Sequence, residues 1–126
     1  MKQVIAAGES PPPPGPFSPA LRVGEWIFLS GQGGFAPRTG ELVAGGIAEQ
    51  TEQTLRNIDT ILQASGASLD DVVSCLAHLT DLGHWPKFNE AYERHFPETK
   101  PVRTTVRADL VDGMLVELTV IAHRTG

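Results

Sequence analysis

The chain has 126 residues, 40% of them hydrophobic, and a formal net charge of −5. That length suits a single domain, 1–126, with one core. The acidic balance, with ten Lys and Arg that form no run, disfavours a nucleic-acid or anionic-membrane partner. The one cysteine, Cys75, excludes an internal disulfide and fits a reducing compartment, so the cytoplasm is the expected location. No stretch approaches the roughly 18 apolar residues of a membrane span, and MKQVIAAGESPPPP has too short an apolar run for a signal peptide.

A short strand is expected at 4–6, followed by PPPPGP at 11–16, which can be neither helix nor interior strand. It reads as a stiff, extended surface connector, a proline-rich ligand for a partner groove being the alternative. Residues 17–21 and 26–29 read as a hairpin turning at Val23-Gly24-Glu25. SGQGGFAPRTGEL, 30–42, is a loop of turn formers whose glycines would let backbone approach a ligand.

From 47 to 64 the period becomes helical: Ile47, Thr51, Leu55, Ile58, Ile61 and Leu62 share one stripe, and Gly66 suits the left-handed position beyond the end. Residues 71–80 (DVVSCLAHLT) are strand-like. A second helix is expected at 86–96, with Pro86 in its first turn and Phe88, Ala91, Tyr92, His95 and Phe96 on its apolar side. The segment KPVRTTVRADLVDGMLVELTVIAHR, 100–124, reads as two strands joined by a Gly-containing turn. The order ββ(β)αβαββ predicts an α+β domain, a mixed sheet of about six strands with both helices on one face.

Alternation puts Thr104, Val106 and Ala108 on one face of the penultimate strand and Arg103, Thr105 and Arg107 on the other. On the last strand Val116, Leu118, Val120 and Ala122 face the core, opposite Glu117, Thr119 and Ile121. With the apolar faces together, Arg103 and Glu117 are both expected on the uncovered face, too mixed to be simply wet. A closed homo-oligomer that buries this face, with its charges kept in clefts, is the economical solution.

Common catalytic patterns are absent. His78, His84, His95 and His123 lack metal-ligand spacing, SGQGG is neither a phosphate nor a dinucleotide loop, and Ser30 has no evident histidine base. Cys75 reads as a small buried hydrophobe, and Trp85, Phe88 and Tyr92 read as core. Arg103 and Glu117 form either a structural salt bridge or solvated pair across neighbouring strands, or a site. As a site they suit a small carboxylic acid attacked by water: a guanidinium fork grips a carboxylate through two hydrogen bonds, and a carboxylate accepts a proton or holds a water.

The motifs GPFSPALRVGEWIFLSGQ, IAEQTEQTLRNIDTIL, SGASLDDVVSCLAHLTDLGHWPKFNEAYERHFPETKPVRTTV and VELTVIA, in this order along essentially the whole chain, resemble the reactive intermediate deaminase A family (RidA, or YjgF-like). The resemblance implies a chorismate-mutase-like α+β fold and a homotrimer with clefts between subunits. It also implies hydrolysis of 2-imino acids or their enamine tautomers to 2-oxo acids and ammonia, with no metal and no cofactor. By the same resemblance Arg103 clamps the substrate carboxylate, and Glu117 partners the hydrolytic water or the leaving nitrogen, or orients Arg103. Ser30 and Gly31 line the cleft, and Asn89 supports its geometry. Two positions depart from the family pattern: Phe17 replaces a tyrosine, and Thr105 stands where many active members have cysteine. Alternatives are a non-catalytic trimer that binds a small carboxylate, and a deaminase of a larger unsaturated amino acid such as an aminomuconate or aminoacrylate. A ribonuclease is disfavoured by the acidic charge.

Overall fold

The structure, a computed structural model, describes residues 1–6 and 13–125. The sheet contains β1 (Gln3–Ile5), β2 (Ala20–Val23), β3 (Trp26–Leu29), β4 (Val72–Leu79), β5 (Val102–Arg107) and β6 (Val116–His123). The helices are α1 (Ile47–Gln63) and α2 (Trp85–Glu93). Strand order is β1-β2-β3-β6-β4-β5, antiparallel except for the parallel pair β4–β5. This is the mixed six-stranded, two-helix α+β fold expected from the sequence.

Several local expectations shift. The hairpin's first strand begins at Ala20 rather than 17, because Pro16 and Pro19 have no N–H to donate to a ladder. Of the proline run, residues 11 and 12 lie outside the described residues; residues 13–16 belong to no helix or strand, and the chain bends from 14 onward. Helix α2 stops at Glu93, after which the His95 and Phe96 amides close tighter turns on the Tyr92 and Glu93 carbonyls. The largest correction concerns the last two strands, which are not neighbours: β4 lies between β5 and β6. No cross-strand contact between Arg103 and Glu117 is available in that order.

The core lies between one sheet face and the two helices. Leu55, Ile58, Ile61 and Leu62 of α1 and Phe88 of α2 are fully buried against Ile27, Ala77, Leu79, Val116, Leu118 and Val120 of the sheet. Each large side chain so buried is worth about 1.5–3 kcal/mol relative to exposure. Gly66 takes the expected left-handed backbone (φ 83°) beyond α1. Buried polar residues also sit on α1: Gln50, Thr51, Thr54 and Asn57. No helix among the described residues is long and apolar enough to cross a membrane.

Among the described residues no element covers the other sheet face. Paired residues on adjacent strands point the same way, so Val4, Trp26, Phe28, Leu76, Val102 and Val106 all lie on it, and each is exposed. Val102 alone is 71% exposed. The uncovered face inferred from the sequence is therefore present, and it is more apolar than alternation suggested.

Candidate active site

Glu117 stands on the uncovered face, directly opposite His78 of β4. The loop that follows β3 is held against it. The Gln32 amide donates to the Leu118 carbonyl and the Leu118 amide donates back, both at 2.9 Å. This bridge brings Gly31 onto the Glu117 side chain: a Cβ at Gly31 would lie 2.8 Å from Glu117 Cδ. Ser30 does not offer its hydroxyl to the cavity, because that group donates to the Ser18 carbonyl at 2.7 Å. Its contribution is to fasten the loop to the segment that carries Phe17.

Phe17, Gly31, Gln32, Phe35, Met114 and Glu117 are among the walls of a cavity of about 470 Å³. Helix α1 fixes its floor. Asn57 Nδ2 donates to the Gly33 and Phe35 carbonyls (3.2 and 2.8 Å), and Gln50 Oε1 accepts from the Leu115 amide at 2.8 Å. At Gly34 a Cβ would lie 2.8 Å from the Gln50 carbonyl oxygen, so only glycine lets loop and helix backbones meet this closely. Asn57 and Gln50 were not singled out from the sequence. The signal was there, as amides inside the apolar stripe of α1, where a polar side chain must find a buried partner.

The second cluster forms around Arg103. Its Cζ lies 5.1, 5.0 and 4.8 Å from the ring centroids of Trp85, Phe88 and Tyr92, and Nη2 donates to Asn89 Oδ1 at 2.7 Å. All four partners come from one face of α2. Phe88 and Tyr92 are core as expected, but Trp85 is 44% exposed and serves as an outer wall of this aromatic box. No carboxylate among the described residues lies within 4 Å of the Arg103 guanidinium. The result is a held cation without a counter-charge. The Thr105 hydroxyl, on the same side, is buried and has no partner among the described residues.

The two clusters lie on opposite faces of the sheet, contrary to the expectation that both charges share the uncovered one. Arg103 pairs with Cys75 and so points to the helix side, whereas Glu117 pairs with His78 and points away. Thr105 likewise turns to the helix side, and Val106 to the open one. The physical reason is that β5 is an edge strand under the end of α2, where aromatic rings accept a guanidinium stem and fork.

A family model described as Endoribonuclease L-PSP matches residues 7–124. A RutC family protein of Pyrococcus abyssi is 44% identical over 98% of both chains. The human 2-iminobutanoate/2-iminopropanoate deaminase is 35% identical over 97% of this chain and 90% of its own. The crystal structure of Escherichia coli TdcF with bound serine superposes with a TM-score of 0.92 at 29% identity, covering 98% of this chain and 99% of that one. The chain belongs to the RidA/YjgF family.

In this RidA-family chain the remaining reactive groups lie elsewhere. Cys75 is buried, and burial pushes its thiol up to about 11, with Tyr92 and Arg103 pulling it partly back. Burial likewise raises the Tyr92 phenol. A thiol in that environment is a poor nucleophile at neutral pH. His95 Nε2 meets Glu52 Oε2 at 2.7 Å and joins the turn after α2 to α1; this contact lowers the Glu52 carboxyl. Among the described residues no group of three or more His, Cys, Asp and Glu gathers as a metal site.

Proposed function

We propose that this chain is a 2-imino-acid deaminase that works as a homotrimer. Each site is closed by Arg103, Asn89 and Thr105 of one copy against Phe17, Gly31 and Glu117 of the next. The observation that carries the reading is the Arg103 guanidinium, fixed by three rings and one amide and matched to no carboxylate among the described residues. Holding a cation so firmly without a counter-charge makes sense if an anionic ligand completes it.

Three further features support the assembly and the substrate class. The halves of the site lie on opposite faces, so one copy cannot close its own cleft. A contact in which the Arg103 side of one copy meets the Glu117 side of another is heterologous, and three such contacts related by a threefold rotation close as a ring. The exposed apolar strip from Val4 to Val106 gives that contact area to bury. The human relative is named for 2-iminobutanoate and 2-iminopropanoate, and TdcF binds serine, a small amino acid with the same carboxylate.

The chemistry is a balanced hydrolysis. The Arg103 fork holds the substrate carboxylate, which presents the adjacent C=N carbon to a water held by Glu117. Water oxygen bonds to that carbon and gives one proton to Glu117 while the C=N π pair moves to nitrogen, which takes that proton back from Glu117, giving a carbinolamine. The hydroxyl proton then passes to the amine nitrogen, the oxygen lone pair forms the C=O bond as the C–N bond breaks, and a 2-oxo acid and ammonia leave. Fixed orientation of water and imine supplies much of the acceleration, and the route needs no metal or cofactor. The nuclease in the family model's description does not carry over, since ten unclustered basic residues at a net charge of −5 offer no track for a phosphate backbone.

The test is release of ammonia and 2-oxo acid from freshly generated 2-iminobutanoate and 2-iminopropanoate by wild type and Arg103→Ala. Turnover that is lost in the variant while the oligomer persists is expected. Equal turnover in the variant would sink the clamp.

A further inference from the structure

The cavity beside Glu117 is larger and more apolar than a three- or four-carbon imine requires. A four-carbon 2-imino acid has seven heavy atoms, and at ~30 Å³ for each, the share of one water, it takes up at most ~210 Å³. On one copy, before the Arg103 side of a neighbour closes over it, the cavity holds about 470 Å³. Its reactive end is Gly31 and Glu117; Phe17, Phe35, Val111 and Met114 line the space beyond. None of those four side chains presents a strong hydrogen-bonding group. The two amide side chains in the wall are committed elsewhere: Asn57 donates to loop carbonyls, and Gln32 Nε2 donates to the Ser30 carbonyl at 3.3 Å. Asp112 is at the exposed mouth, in a loop whose backbone turns through a left-handed residue.

We infer that this cavity selects 2-imino acids with a large apolar side chain, branched or aromatic, over the three- and four-carbon imines. The inference deepens the deaminase reading and rests on it for the reaction. The carboxylate and C=N group stay at Arg103 and Glu117, and the side chain extends between Phe17, Phe35 and Met114 toward Val111. Each methylene buried there adds roughly 0.8 kcal/mol, about fourfold in affinity. The reaction class that supplies such imines is two-electron oxidation of the Cα–N bond of the matching amino acid, by a flavin- or nicotinamide-dependent enzyme that releases the imine before it hydrolyses.

The test pairs turnover with binding. Imines are generated in situ from leucine, phenylalanine and alanine by an amino-acid oxidase, and kcat/KM is measured for wild type and Val111→Trp. Val111 is 68% exposed, so the larger ring narrows the cavity mouth without disturbing the core. Binding of 4-methyl-2-oxopentanoate and 2-oxobutanoate is measured separately by calorimetry. The leucine- and phenylalanine-derived imines are expected to exceed the alanine-derived one by about tenfold or more, and Val111→Trp to erase most of that ratio. Turnover of the alanine-derived imine as fast as the others, or a ratio untouched by Val111→Trp, overturns the inference and leaves the deaminase standing. No turnover of any imine, with 4-methyl-2-oxopentanoate still bound tighter than 2-oxobutanoate, overturns the deaminase and leaves the apolar pocket standing. Absence of both turnover and binding preference overturns both.

Discussion

Arg103 and Glu117 project from opposite faces of the same sheet, two strands apart, with β4 between them. Arg103 shares a row with Cys75 and Val120 on the helix side, and Glu117 shares one with His78 and Val106 on the open side. The first is held by α2 and the second by the loop after β3, so two separate structural units carry the two charges. On the proposed reading, a single substrate reaches both where two copies meet.

Asn89 sets the orientation of the Arg103 fork through its 2.7 Å hydrogen bond. Asn89→Ala leaves the cation stacked but freer to turn, and kcat/KM for 2-iminobutanoate is expected to fall about tenfold, the cost of one hydrogen bond to a charged group. Asn89→Asp, of nearly the same shape, places a carboxylate against the guanidinium and competes with substrate. A larger loss is expected for Asp than for Ala. A smaller one would mean that Arg103 does not serve as a carboxylate receptor.

Gly31 and Gly34 separate activity from stability. Gly31→Ala pushes against Glu117 Cδ, a movable side chain, so activity should drop sharply while the melting temperature changes little. Gly34→Ala pushes against the Gln50 backbone, which cannot yield without moving α1. A stability loss of about 1–3 kcal/mol is expected there. Paired melting curves and rates decide it; the reverse pattern would mean that Gly31 is structural.

The helices and most strand positions were legible from periodicity, because Ile47, Leu55, Ile58 and Leu62, or Val116, Leu118 and Val120, repeat at the spacing of one buried face. Which face of β5 turns inward was not legible. Val102, Thr104 and Val106 are its more apolar set, yet they face outward, because the helix side of this edge strand meets rings that suit an arginine. Nor does alternation reveal that β4 separates β5 from β6, since strand partners far apart in sequence leave no local mark. The cavity floor was missed for a related reason: Gln50 and Asn57 look like interruptions of an apolar stripe until their loop partners are known.

Burial holds the Cys75 thiol protonated well above its ordinary 9.0, up to about 11. Because the native state raises this value, the stability linked to it is complete below 9.0 and is lost as pH rises toward 11. Chemical denaturation across that interval should show a declining midpoint, and Cys75→Ala should decline less. A native-state thiol that reacts readily with a disulfide reagent at neutral pH would contradict the burial argument.

The His95–Glu52 contact acts at the other end of the pH scale. The His95 hydrogen bond is the main cause of the lowered Glu52 carboxyl, with nearby positive charge adding to it. A lowered native value means stability that is present above the ordinary 4.5 and lost as pH falls through the lowered value. The solvent-screened geometry limits this to ~0.5 kcal/mol or less. His95→Gln should flatten the acid limb of the stability curve; an unchanged limb would mean that the contact is not maintained in solution.

The most direct measurement of a site shared between copies is complementation. Arg103→Ala and Glu117→Ala chains, each inactive or nearly so alone, are co-expressed with different tags, and the hybrid assemblies are isolated and assayed on 2-iminobutanoate. In a ring of three, every hybrid holds one neighbouring pair that joins an intact Arg103 to an intact Glu117, so about a third of the wild-type rate per site is expected. Hybrids no more active than either parent, with wild type active under the same conditions, would contradict a site built from two copies.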